Sequence, residues 1–175
     1  MDNLSFDNRE GYIWYNGNLL EWKNANVHVL NHGLHYASCV FEGERAYRGK
    51  IFETEKHTKR LFNSAKSLDM KIPFSEKEVI QAKDVLLQKN SLSDAYVRPV
   101  VWRGSEMMAV SAQSTKIHVA IAVWNWPSYF DPEQKMQGIK LDIAKWKRPG
   151  PECGPVLAKA AGLYMICTLS KHEAE

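Results

Sequence analysis

Cysteine is scarce. Cys39, Cys153 and Cys167 are odd in number and far apart, which excludes a disulfide framework and gives no zinc spacing; reduced, buried thiols are expected. His32 and His35 stand three apart, but no carboxylate or cysteine supports them, so no metal is expected. No apolar run is long enough to span a bilayer. The first residues, from Met1 to Asp7, lack the basic start and apolar stretch of a signal peptide, and the expected compartment is the cytoplasm. Strong charge is missing too. The formal net charge is +3 and the basic residues are dispersed, so neither nucleic acid nor an anionic membrane is an expected partner. There is no internal repeat and no low-complexity tract.

What remains is an ordinary globular composition, 45% hydrophobic and 25% charged, in a chain of about one domain or slightly more. The first half reads as strands and hairpins. Tyr12 to Tyr15 is followed by Asn16-Gly17, a strong hairpin signal, and Leu19 to Trp22 returns. Val27 to Leu30 reads as another strand. Cys39 to Tyr47 reads as extended, with Arg48-Gly49 turning it into Lys50-Ile51-Phe52. Two helices follow. Thr54 is the expected N-cap of the first, where Leu61, Ala65 and Leu68 recur at helical spacing. Ser75 and Glu78 form a capping box for the second, with Phe74 and Val79 placed as a staple and Asn90 at the end. Ala95 to Arg103, Lys116 to Trp126 and Ile139 to Trp146 read as strands, and Gly104 to Thr115 as an exposed loop. Ser128 to Gln137 reads as a polar linker, and Ala160 to His172 as a helix. The expected class is α+β: a small domain over residues 1–130 with two helices on one side of an antiparallel-rich sheet. A linker over 131–140 and the incomplete start of a larger α/β domain over 141–175 complete it. The elements after the linker cannot enclose a core alone. They either pack back onto the first domain or belong to a second one cut short.

Lys159 is the most informative single residue. From Gly154 to Ser170 it is the only ionisable side chain apart from Tyr164 and Cys167. A lysine in apolar company either extends its ammonium to water along a packed stem or gives up part of its charge. A neutral amine can attack a carbonyl, which is what a Schiff-base lysine needs. Residues two apart on a strand share a face, so Tyr96, Arg98, Val100 and Trp102 lie on one side. A mid-strand arginine there reads either as a carboxylate clamp or as a structural ion pair or solvent-facing side. Phe41, Gly43, Arg45 and Tyr47 share a face likewise, and Gly43 signals close approach by a ligand or a bulge. Arg60 either holds an anion or is simply solvated. Trp124, Trp126 and Tyr129 either wall a pocket or belong to the core.

Four stretches, taken in order, resemble a known family: His32-Gly33-Leu34-His35-Tyr36 with Val40-Phe41-Glu42-Gly43-Glu44-Arg45; His57-Thr58-Lys59-Arg60-Leu61; Ala95-Tyr96-Val97-Arg98-Pro99; and Ala158-Lys159-Ala160-Ala161-Gly162-Leu163-Tyr164. From about Tyr12 onward the chain is similar to the N-terminal part of a branched-chain amino acid aminotransferase, of the fold-type IV pyridoxal-phosphate class. The resemblance implies transamination of leucine, isoleucine and valine with 2-oxoglutarate, through a pyridoxal 5′-phosphate Schiff base on Lys159. It implies that Arg60 binds the cofactor phosphate and that Tyr164 approaches its phenolic oxygen. Tyr96 and Arg98 would take substrate carboxylates, and Arg45 would position the substrate. Phe41, Trp126 and Tyr129 would line the side-chain pocket. Tyr36 would serve the neighbouring subunit of a homodimer. A D-amino acid aminotransferase and an aminodeoxychorismate lyase share this fold class. Glu44 departs from the family's usual apolar residue, and Leu163 from its frequent asparagine. The resemblance also implies a longer protein, in which further residues hold the cofactor's ring nitrogen and phosphate. An inactive fragment is therefore the remaining expectation.

Overall fold

The computed structural model describes residues 5–126, 132–138 and 141–175. Strands β1 (Tyr12–Tyr15) and β2 (Asn18–Glu21) form the expected hairpin. Asn16 and Gly17 both have positive φ, 49° and 93°, as a tight two-residue hairpin loop requires. β3 (Cys39–Phe41), β4 (Glu44–Tyr47), β5 (Lys50–Ile51), β6 (Ala95–Arg103) and β7 (Ile117–Trp124) join them in one antiparallel sheet. Its order is β2-β1-β7-β6-β4-β5, with β3 also on β6.

β6 sets the two faces. Ala95, Val97 and Val101 are fully buried, while Tyr96, Arg98 and Val100 on the alternate positions are half-buried. The buried side meets helices α2 (Thr54–Ser67) and α3 (Glu76–Lys89), whose Leu61, Ala65, Val79, Ala82 and Leu86 share its core. α3 begins as expected. Ser75 Oγ accepts from the Glu78 N–H, and the Glu78 carboxylate accepts from the Ser75 N–H. α2 does not. Its N-cap is Glu53 in the left-handed region, and Thr54 is already helical, with its hydroxyl accepting from Lys83 at 3.3 Å.

Other expectations shift. Val27 to Leu30 is no strand but a connection that turns at Val29-Leu30; all four residues are exposed, so neither face is buried as a sheet strand's would be. Cys39 to Tyr47 divides at Glu42-Gly43, although Phe41↔Val100 and Glu44↔Val97 keep one register. Residues 141–146 form no strand; Leu141 and Ile143 alternate correctly but are exposed, and alternation without a partner strand makes no sheet. Residues 139–140 lie outside the described residues. Within the expected linker, Pro132–Gln137 forms helix α4. The expected last helix opens with a 3₁₀ turn, Ala161–Tyr164, before α5 (Met165–Ala174). Cys153 and Cys167 are exposed rather than buried. Cys39 is half-buried, and burial pushes its thiol up to about 11. His32 and His35 each engage a backbone carbonyl, those of Ala109 and Val29.

Ala158 and Ala160 are buried in the same core as the sheet. Residues 158–160 therefore pack against the sheet and its helices, while most of the rest of 141–175 is exposed.

Candidate active site

The site is built on the alternation of β3 and β4. The pairs Phe41↔Val100 and Arg45↔Tyr96 put Phe41, Gly43 and Arg45 on the face of Tyr96 and Arg98. The segment around Lys159 then runs antiparallel beside β3. Val40 bridges Ala160, and the Phe41 N–H donates to the Lys159 carbonyl at 3.1 Å. On its other side the Lys159 N–H donates to Ser64 Oγ of α2 at 2.9 Å. With Ala158 and Ala160 turned to the core, the half-buried Lys159 is left on the side of Phe41.

Its Nζ donates to Tyr164 Oη at 2.5 Å and lies 4.9 Å from the ring centroids of both Phe41 and Tyr164. Those rings are 4.8 Å apart. The Arg98 guanidinium lies 4.7 Å from the Phe41 centroid and 5.0 Å from that of Tyr96, and its Nη2 donates to Tyr96 Oη at 2.9 Å. Among the described residues no carboxylate pairs with Arg98. Gly43 marks a close approach: a β-carbon there would collide with the Tyr96 hydroxyl.

Arg45 Nη1 donates to the Trp126 carbonyl at 3.0 Å. Trp124, Trp126 and Tyr96 make an aromatic wall, with centroids 4.9 to 5.7 Å apart. An apolar groove of about 470 Å³ opens on the same sheet face, lined by Val100, Ala120, Ala122 and, at its polar end, Arg98. Tyr36, in helix α1 (His32–Tyr36), stacks on His32 at 4.5 Å. No hydrogen bond or ring contact joins it to Lys159, Phe41 or Arg98 among the described residues. Tyr129 lies outside the described residues.

Arg60 is not simply solvated. Its Nε donates to Glu42 Oε1 at 2.6 Å and its Nη2 to Oε2 at 2.7 Å, and the His57 Nδ1–H donates to Oε2 at 3.0 Å. Burial would lift the Glu42 carboxyl, but the hydrogen bonds from Arg60 and His57 outweigh it and hold Glu42 below the usual range. The Glu42 hydrogen bonds, followed by its charge, raise Arg60 in turn, with a smaller contribution from Tyr164. Glu44, two residues on, is equally buried and pairs with Lys83 Nζ at 2.6 Å; Lys83 also donates to Thr58 Oγ1 at 2.7 Å. Burial dominates this pair, pushing Glu44 up and Lys83 down.

Glu42 and His57 were missed as functional residues, although a signal existed. If Phe41, Gly43 and Arg45 face the site, Glu42 and Glu44 must face the helices, and buried carboxylates demand partners.

Comparison with known proteins follows this geometry. Residues 39–175 match the model of the amino-transferase class IV family. The branched-chain-amino-acid aminotransferase of Pseudomonas aeruginosa is 42% identical over 98% of this chain and 57% of its own length. The branched-chain amino acid aminotransferase of the organism abbreviated T.th., solved with pyridoxamine 5′-phosphate, superposes with a TM-score of 0.89 at 35% identity, over 94% of this chain and 56% of that one. The same enzyme complexed with N-(5′-phosphopyridoxyl)-L-glutamate gives 0.84 at 34%, over 94% and 54%. The chain thus spans a little over half the length of the relatives it matches. The match begins at β3, where the site begins, and takes in Arg60, Arg98 and Lys159: the chain belongs to the amino-transferase class IV family.

Proposed function

We propose that this site serves the transamination of branched-chain L-amino acids, leucine, isoleucine and valine, with 2-oxoglutarate. The observation that carries the reading is an amine, Lys159 Nζ, held on a phenol and flanked by two rings, with a guanidinium, Arg98, that pairs with no carboxylate among the described residues, beside one of them. This set of groups fits pyridoxal 5′-phosphate: an amine for the aldehyde, the Tyr164 hydroxyl for the phenolic oxygen and Arg60 for the phosphate. The relatives solved with pyridoxamine 5′-phosphate and with a phosphopyridoxyl-glutamate support that choice. When bound, the cofactor supplies the electron sink that stabilises negative charge at the substrate α-carbon.

The chain's own residues divide the remaining work. Lys159 Nζ, once free, moves the proton to and from the α-carbon, and Tyr164 Oη keeps it in place. Arg98 and Tyr96 take a substrate carboxylate, a charge-assisted contact that fixes orientation. Phe41 and Trp126 line an apolar side-chain pocket, and Arg45 fixes the end of β7 through the Trp126 carbonyl. Tyr36 serves the site of a second copy in a homodimer. We assign residues 1–130 to a small domain, 131–140 to a linker and 141–175 to a cofactor-binding domain that touches the first through Ala158 and Ala160. Among the described residues no helix is long and apolar enough to cross a membrane.

The test uses the natural full-length protein. Pyridoxal phosphate should give a visible absorbance band, and borohydride reduction should fix the phosphopyridoxyl group on Lys159 by peptide mass. Lys159→Ala should lose both, together with amino transfer from leucine to 2-oxoglutarate. A band of equal intensity in the mutant overturns the lysine assignment. Consumption of D-alanine, or release of pyruvate and aminobenzoate in place of leucine turnover, overturns the substrate assignment.

A further inference from the structure

We propose that Glu42 is the positioning residue for Arg60, setting the plane and the free edge of the guanidinium that meets a phosphate group. The inference rests on the reading of Arg60 as the phosphate-binding residue.

Arg60 lies on α2 with 52% of its side chain exposed. A long side chain in that setting has many rotamers, and holding one of them has an entropic cost. Glu42 removes that freedom. Its carboxylate is fully buried, and its own N–H donates to the Pro99 carbonyl at 2.9 Å, so it is fixed to the sheet and not to the helix. The two Arg60 bonds form a fork, which determines the guanidinium plane as well as its distance. The fork uses Nε and one hydrogen of Nη2. Nη2 also lies 3.4 Å from His57 Nδ1, so the Nη1 hydrogens are the ones left for an outward edge. His57 holds Glu42 Oε2 from the same helix, one turn earlier, and so limits rotation of the carboxylate.

The surrounding charges matter to this arrangement. Glu42 neutralises much of Arg60, and Glu44 and Lys83 neutralise each other beneath it. Arg60 therefore recognises an anion by a fixed set of donors more than by net charge. The Lys159 N–H donates to Ser64 Oγ, one turn after Arg60 on α2, and Tyr164 and Glu44 are further groups whose charge reaches Arg60, so the guanidinium lies on the helix that carries the Lys159 segment. A phosphate at the outward edge and an aldehyde at Lys159 would then belong to one ligand.

The experiment is a double-mutant cycle on the natural full-length protein, reading pyridoxal phosphate affinity by absorbance titration. Glu42→Gln keeps the shape but puts an amide N–H₂ against donors of Arg60 or His57. Affinity should fall about 10- to 100-fold, as when a partner behind a ligating group is removed. In an Arg60→Ala background the same Glu42→Gln change should add nothing. Equal losses in both backgrounds overturn the proposal and leave Arg60 as the phosphate ligand. Wild-type affinity in Arg60→Ala overturns the phosphate reading itself, and this inference with it. Should Glu42→Gln not fold, the unaltered protein still decides. The Arg60 Nε–H should give a discrete NMR signal that exchanges slowly with water. Exchange as fast as that of free arginine overturns the fork.

Discussion

Glu42 carries a pH dependence that can be isolated. Its folded-state value lies below the ordinary 4.5 despite burial. Such a group contributes stability that is complete above its unfolded value and is lost as pH falls through the folded one. The difference in unfolding free energy between the wild type and Glu42→Gln should be constant near neutrality and shrink below about pH 4.5. Urea denaturation at stepped pH measures it, and a difference that grows on acidification would contradict the assigned partners. At this scale the sequence disclosed Lys159 through its lack of charged neighbours, and Tyr164 five positions later. It did not disclose what Arg60 does, because that depends on a carboxylate eighteen residues earlier on another element. Helical spacing alone cannot reach across such a gap; strand parity at Phe41 could have.

Among the elements, the Glu44–Lys83 pair ties β4 to α3, and Lys83 ties α3 to α2 through Thr58. Removing one member leaves a buried charge unpaired, a loss of about 3–5 kcal/mol, whereas replacing both by apolar residues of similar volume is often neutral or stabilising by about 1–4 kcal/mol. Lys83→Met should therefore unfold at much lower denaturant than wild type, and Glu44→Leu with Lys83→Met should recover most or all of the loss. Failure of the double variant to recover would mean that the pair has a role beyond mutual neutralisation. The ends of α3 were legible because Ser75, Glu78 and Asn90 act locally. The start of α2 was not, since the Thr54 hydroxyl is drawn to Lys83, a tertiary contact. Lys83 itself stood in view, four residues after Val79 and three before Leu86, on the apolar stripe. The failed strand at 141–146 belongs here too: its alternation is present and its partner is not.

For the molecule as a whole, one group of exposed apolar residues, Val29, Leu30 and Leu34 with Met107, Met108 and Val110, lies on two segments that His32 joins, through its N–H on the Gly104 carbonyl and its Nε2 on the Ala109 carbonyl. Leu34 is 67% exposed and Val110 85%. If the proposed homodimer forms through these segments, Leu34→Asp with Val110→Asp should convert a dimer to a monomer in sedimentation while the far-ultraviolet circular dichroism is unchanged. An unaltered sedimentation coefficient would move the contact elsewhere. The α+β class and the sheet's antiparallel character were legible from hairpin signals and alternation. The way residues 158–164 close on the sheet was not, since Ala158 and Ala160 look like the start of a helix until their pairing with β3 is known. That closure has a consequence for synthesis. The strands and helices that carry Arg60, Glu42 and Arg98 leave the ribosome long before position 159. A nascent chain can thus finish the platform first, before the segment bearing the amine is laid beside Val40 and Phe41.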